Sequence, residues 1–145
     1  MITPTASADG ADAERLVEGR ERIYLDRIGS SGVRDIRSIV LKGDPDQVGL
    51  YTILLRVPAH TRIGAHAHQD DRIATVISGT WHIGYGSTFN ESQLKALPPG
   101  SFYTEPPGTA HFAETGDEEV VVQITGYGPF STVYIDPEKD PRAPR

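Results

Sequence analysis

The sequence predicts an all-β fold, a single small barrel or sandwich, and three observations carry that expectation. Apolar residues fall in many short runs rich in β-branched types. Turn clusters separate the runs at fairly even spacing. Finally, 15 Gly and 11 Pro among 145 residues leave little room for long helices. The length suits one domain with a core large enough to fold without a disulfide or a metal. A hydrophobic fraction of 37% and a charged fraction of 23% read as globular rather than disordered.

Residues 1–20 carry few bulky apolar side chains and are read as a polar N-terminal arm, in which Ala11 to Arg22 forms either a short polar helix or a mobile segment. The barrel is expected over residues 21–136. Arg22 to Ile28 alternates through Ile23, Leu25 and Ile28, and Val33 to Leu41 alternates more weakly. Gly43-Asp44-Pro45-Asp46 is a turn. Val48 to Val57 holds Leu50, Ile53, Leu54 and Leu55 and ends at Pro58. Arg72 to Ile77 reads as a strand, Ser78-Gly79 as a turn, and Thr80 to Tyr85 as the hairpin partner. The stretch from Phe89 to Leu97 breaks the pattern. Asn90 can cap a helix, Leu94 and Leu97 lie three apart, and Pro98-Pro99-Gly100 stops it, so a short helix is expected. Strands resume at Ser101 to Glu105, Ala110 to Thr115, Val120 to Thr125 and Thr132 to Ile135, with Gly116-Asp117 as a turn. The Pro-rich residues 137–145 read as an extended C-terminal tail.

Composition also excludes chemistry. With no Cys there is no thiolate metal site, disulfide or Cys nucleophile. A net charge of −6 without a Lys/Arg stripe argues against nucleic acid as a partner. No apolar run approaches the length that spans a bilayer, so no membrane is expected. The start lacks the basic and apolar regions of a signal peptide, and a cytoplasmic protein is expected.

The five His are at 60, 66, 68, 82 and 111. On a strand, His66 and His68 point to one face roughly 7 Å apart. Two such imidazoles can converge on one ion with bonds of about 2.0–2.1 Å. Taken alone, the pair also fits two polar residues on a solvent-facing strand. His60 and His82 are read as surface or rim residues.

The surroundings of the pair say more. Downstream of His66-Ala67-His68 come Arg72 and, after six more residues, Gly79. Further on runs Gly100-x5-Pro106-x-Gly108-x2-His111-x3-Thr115. Over about residues 45 to 135 the chain resembles the cupin superfamily. That family's motifs are G…H-x-H-x3–4-E-x6-G and G-x5-P-x-G-x2-H-x3-N; Thr115 stands where Asn is usual. The resemblance implies a single-domain cupin β-barrel, the double-stranded β-helix or jelly roll, with one short helix between the motifs. It also implies a divalent metal on His66, His68 and His111. Gly79 and Gly100 would then sit at turns that need positive φ. In a closed barrel the three His would share the interior with apolar residues. Buried imidazoles need partners, which an ion supplies to all three at once. The alternative is a metal-free pocket of three His held by water.

One position departs from the family. Its usual Glu ligand is Arg72 here, and Arg can neither ligate a metal nor lose its proton. Three readings are open. Asp70 or Asp71 supplies the carboxylate as a fourth ligand or a support; or the site is three-His and Arg72 pairs with one of these Asp at the rim; or Arg72 stays inside and clamps an anionic group of the substrate. Gln123 interrupts the apolar run from Val120 to Ile124 and faces either the cavity or solvent. Trp81, Tyr103 and Phe112, with Tyr85 and Phe102, are candidates to line the cavity or to be ordinary core.

Three neutral nitrogen ligands leave open positions, the pattern of a catalytic site. Zn, Fe or Ni suits imidazole, and the missing Glu weakens the case for Mn. The expected function is a metal-dependent enzyme on a small molecule. It is either a dioxygenase of a chelating diketone or aromatic substrate, or an isomerase, cyclase or hydrolase with the ion as Lewis acid. In the second case Asp70, Tyr103 or Gln123 would handle protons or orient substrate. The alternative is a non-catalytic metal- or ligand-binding sensor barrel. A homodimer is expected, with N-terminal strands covering an edge.

Overall fold

The computed structural model of the chain describes residues 16, 27–28 and 31–144. The expected N-terminal arm and the Ala11–Arg22 segment lie outside the described residues, Leu16 apart. Among the described residues the strands in chain order are β1 (Arg27–Ile28), β2 (Arg37–Lys42), β3 (Gly49–Val57), β4 (Arg62–Ala67), β5 (Arg72–Ser78), β6 (Trp81–Tyr85), β7 (Lys95–Leu97), β8 (Phe102–Glu105), β9 (His111–Thr115), β10 (Val120–Gly128) and β11 (Val133–Tyr134). They form two antiparallel sheets, β1-β2-β3-β10-β5-β8 and β11-β4-β9-β6-β7. The inner faces of the two sheets enclose the core.

Alternation explains the register. β10 pairs with β3 along its whole length, from Val120 opposite Val57 to Gly128 opposite Gly49. Val120, Val122 and Ile124 point inward and are buried, together with Tyr51, Ile53 and Val57 of β3. Burying one such side chain is worth about 1.5–3 kcal/mol. A slip of one residue would turn the whole inward set outward, so the register is strongly specified.

The hairpin expected at Ser78-Gly79 does not form. β5 lies between β10 and β8, whereas β6 lies between β9 and β7 in the other sheet. The turn is a corner where the chain leaves one sheet for the other, overriding the usual tendency of consecutive strands to pair. Gly79 is at φ 75°, and a Cβ there would come 2.3 Å from the Glu119 carbonyl oxygen. Only glycine fits this corner.

The expected helix from Phe89 to Leu97 is also corrected. Asn90 caps as anticipated, accepting from the Ser92 N–H, but only one 3-10 turn follows, Glu91–Gln93. Leu94 is extended, and Lys95–Leu97 pairs with Trp81–Ile83. That pairing satisfies backbone groups which a one-turn helix would leave open. It also packs Leu97 against the core. The tail, expected to run extended, turns back instead. Pro137–Lys139 form a 3-10 turn, and Arg142 Nη2 donates to the Thr132 carbonyl at 2.8 Å.

Candidate metal centre

β4 and β9 bring the three His together. Ile63 faces Ala113 and His66 faces His111, so β4 carries one extra residue between these pairs. This bulge puts Ile63 and His66 on the same inward face. His68 follows by alternation, just beyond the strand end. All three imidazoles are buried, with ring centres 4.3 to 5.0 Å apart. One ligand nitrogen from each lies within 4.8 Å of the others, close enough for a single ion after a small inward closure.

The backbone sets the tautomers. His66 Nδ1 lies 2.7 Å from the Gly64 carbonyl oxygen, His68 Nδ1 2.6 Å from that of Ser131, and His111 Nδ1 3.4 Å from that of Thr109. A carbonyl only accepts, so each Nδ1 carries the proton and each Nε2 offers a lone pair. Burial, reinforced by His111, lowers the pKa of His66 to about 3, and burial lowers that of His111. Neutral imidazoles with free Nε2 atoms are what a metal requires.

Sequence reasoning missed the fourth member. Glu105, at the end of β8, is 4% exposed, and its Oε1 lies 3.3 Å from His68 Nε2 and 3.6 Å from His111 Nε2. That oxygen completes no hydrogen bond. Burial pushes the carboxyl pKa up, but His68, His111 and Arg72 outweigh it and hold Glu105 well below the usual carboxylate range. An anionic oxygen therefore faces two imidazole Nε2 atoms, and what balances the three is a cation between them, a proton on an imidazole or a metal ion. The residues fit a divalent ion. His66, His68, His111 and Glu105 would hold it.

Arg72 occupies the usual Glu position, and its neighbour across the ladder is Glu105 itself. A carboxylate thus stands on the strand beside β5, opposite Arg72. Arg72 is 2% exposed; its Nε donates to Asp70 Oδ2 at 2.9 Å, and its Nη1 lies 3.8 Å from Glu105 Oε1. Asp70 lies outside the three-His group, and its oxygens are engaged elsewhere. Its Oδ2 also accepts from the Tyr51 hydroxyl, and its Oδ1 accepts from the Ser131 N–H at 3.3 Å. Burial raises the Tyr51 phenol well above its ordinary value, so it remains a donor. Gly126 makes the room: a Cβ there would stand 2.5 Å from Tyr51 Oη and 3.0 Å from Asp70 Oδ2.

The other candidates sort by face. Asp71 is exposed at the start of β5, and Gln123 sits half-buried on the outer face of its sheet, because β10 turns Val122 and Ile124 inward instead. Trp81 and Tyr103 do line the interior, and Trp81 Nε1–H donates to Tyr103 Oη at 3.0 Å. Phe112 is buried but outside the cavity, its ring centre 4.9 Å from that of Phe89 at a tilt of 45° and its edge against Gly84 on the far side of β9. His60 is exposed, and His82 is half-buried on the outer face.

No family model matches the sequence, and no curated protein matches it. Solved structures do. The polyketide cyclase RemF from Streptomyces resistomycificus matches with a TM-score of 0.66 at 16% identity, over 88% of this chain and 89% of RemF. An RmlC-like cupin from Shewanella frigidimarina NCIMB 400 matches with a TM-score of 0.59 at 17% identity, over 79% of this chain and 91% of its own. The chain has the cupin fold. A salicylate 1,2-dioxygenase from Pseudaminobacter salicylatoxidans shares that fold at a TM-score of 0.56 and 13% identity. The match spans 70% of this chain and only 30% of the dioxygenase. No helix among the described residues is long and apolar enough to cross a membrane.

Proposed function

We propose that this cupin is a divalent-metal enzyme that moves a proton on a small, oxygen-bearing substrate, in an isomerisation, cyclisation or elimination. The observation that carries the reading is the unpaired, buried Glu105 Oε1 aimed at His68 and His111. When bound, the ion supplies a Lewis acid for a substrate oxygen. Zn, Fe and Ni suit the three imidazoles, and the Glu105 carboxylate removes the argument against Mn that its absence from β5 suggested.

The remaining chemistry belongs to the chain. Tyr103 Oη accepts from Trp81, and its own proton, turned toward Glu105, stands beside the site where a substrate oxygen can compete for it. Burial and the Glu105 charge push the phenol well above its usual value, which keeps that proton in place at neutral pH. Ile53, Leu55, Ile83 and Ile124 give the cavity apolar walls. The cavity is small, about 40 Å³, and opens to solvent on one side, so a compact substrate is favoured. RemF, alike over nearly the whole of both chains, is a polyketide cyclase, and this supports proton transfer over oxygen chemistry.

Elemental analysis of protein purified without added metal, repeated on His68→Ala, tests the metal. Wild type that takes up no Fe, Zn, Ni, Cu or Mn when offered them refutes the reading. Deuterium exchange at the central carbon of a small 1,3-diketone, followed by NMR, tests the chemistry. Oxygen uptake with Fe(II) and the diketone would instead indicate a dioxygenase, and an ion retained without either activity would indicate a binding barrel.

A further inference from the structure

Resting on that reading, we infer that the substrate of this centre is a monoanion, a short carboxylate held by Arg72 beside the metal ligands. Arg72 lines the same cavity as His66, His68, His111 and Glu105. Its Nε is committed to Asp70, and the ring of Phe130 lies 5.6 Å from the guanidinium carbon. Nη2 is buried and finds no hydrogen-bond partner among the described residues. A buried guanidinium N–H without an acceptor costs free energy unless a ligand completes it. Planar donors of this kind match a carboxylate better than any neutral group.

Charge leads to the same class. Asp70, Arg72 and Glu105 together leave the site with one net negative charge while the imidazoles are neutral. A dication turns that into one net positive charge in a water-poor interior. Uncompensated, that charge is costly to bury, and a single anionic group restores neutrality. The small cavity favours a short chain, such as a small keto or hydroxy acid.

The test uses acetate and its neutral counterpart acetamide as probes on the Co(II)-loaded protein. Binding is read from the visible absorption of the ion, and metal content is measured on the same samples. Wild type should prefer acetate by at least about tenfold. Arg72→Lys keeps a cation for Asp70 but lacks Nη2. It should lose about tenfold in acetate affinity at unchanged metal content and unchanged acetamide binding. Arg72→Gln should lose at least as much. Equal acetate affinity in wild type and Arg72→Lys, or no preference for acetate in wild type, overturns the inference. Wild type that takes up no ion refutes the metal reading and this inference with it, and the metal content tells the two failures apart.

Discussion

Replacing Glu105 by Gln tests the centre at the residue that the sequence motifs do not mark. The change keeps the side-chain volume and removes one charge. A unit charge pair about 4 Å apart at an effective dielectric of 20 is worth roughly 4 kcal/mol, and a dication doubles the attraction. Desolvation of the buried carboxylate cancels much of this, so we take about 2.7 kcal/mol, a hundredfold in affinity, as the floor. The readout is the stabilisation that free metal confers on the fold. At a metal concentration one hundred times the wild-type Kd, the wild type gains about 2.7 kcal/mol, whereas a hundredfold weaker variant gains about 0.4 kcal/mol. For a chain of this size each kcal/mol is worth roughly 3 °C. The metal-induced rise in Tm should therefore shrink from about 8 °C to about 1 °C, while the metal-free variant melts near the metal-free wild type. Equal rises in the two proteins would show that Glu105 does not hold the ion and that three His suffice.

Tyr103→Phe should leave metal content intact and abolish most proton transfer. It should also cost about 1–3 kcal/mol in urea unfolding, because the buried Trp81 N–H loses its acceptor; unchanged exchange on the diketone would remove Tyr103 from the mechanism. Gly126→Ala should destabilise the fold by about 1–3 kcal/mol by pushing Tyr51 off Asp70, whereas Gln123→Ala on the outer face should stay within about 0.5 kcal/mol. The metal-free protein should also be acid-sensitive. His66 titrates at about 3 in the fold against 6.5 in the unfolded chain, so the unfolded state binds more protons between these values. Stability from this group is full above pH 6.5 and is lost as pH falls toward 3; a flat urea midpoint across that window would contradict the burial of neutral His66.

The legibility of the site follows sequence distance. His66 and His68 are two residues apart on one strand, and His111 sits in a motif fixed by Pro106 and Gly108, so local spacing suffices to find them. Glu105 belongs to β8 and reaches the site only through its pairing opposite Arg72, a contact spanning 33 positions that no local pattern encodes. One signal was nonetheless available. Tyr103 was a candidate for the cavity, and in a strand from Ser101 to Glu105 alternation sends Glu105 to the same face. The alternation of 66, 68, 70 and 72 does bury all four residues, yet β4 and β5 lie in different sheets. Periodicity gave the direction of Asp70 and could not show that Arg72, Tyr51 and Ser131 occupy its oxygens. The Ser78-Gly79 hairpin failed for the same reason: a turn is visible in sequence, but which strands it joins is decided by pairing elsewhere.

The four donors come from both layers. His66, His68 and His111 belong to the β4–β9 side, and Glu105 to β8 at the rim of the other sheet. An ion held by all four would rivet the two layers at one end of the barrel, while the far end is joined by side-chain packing and by the chain crossings at 58–61, Gly79, 98–101 and 116–119. Emptying the centre should then let that end breathe. Backbone amides of β8 and of the segment around His68 would exchange with solvent faster, with β3 and β10 still protected, so the state of the centre would be written in the mechanics of the barrel as well as in its chemistry.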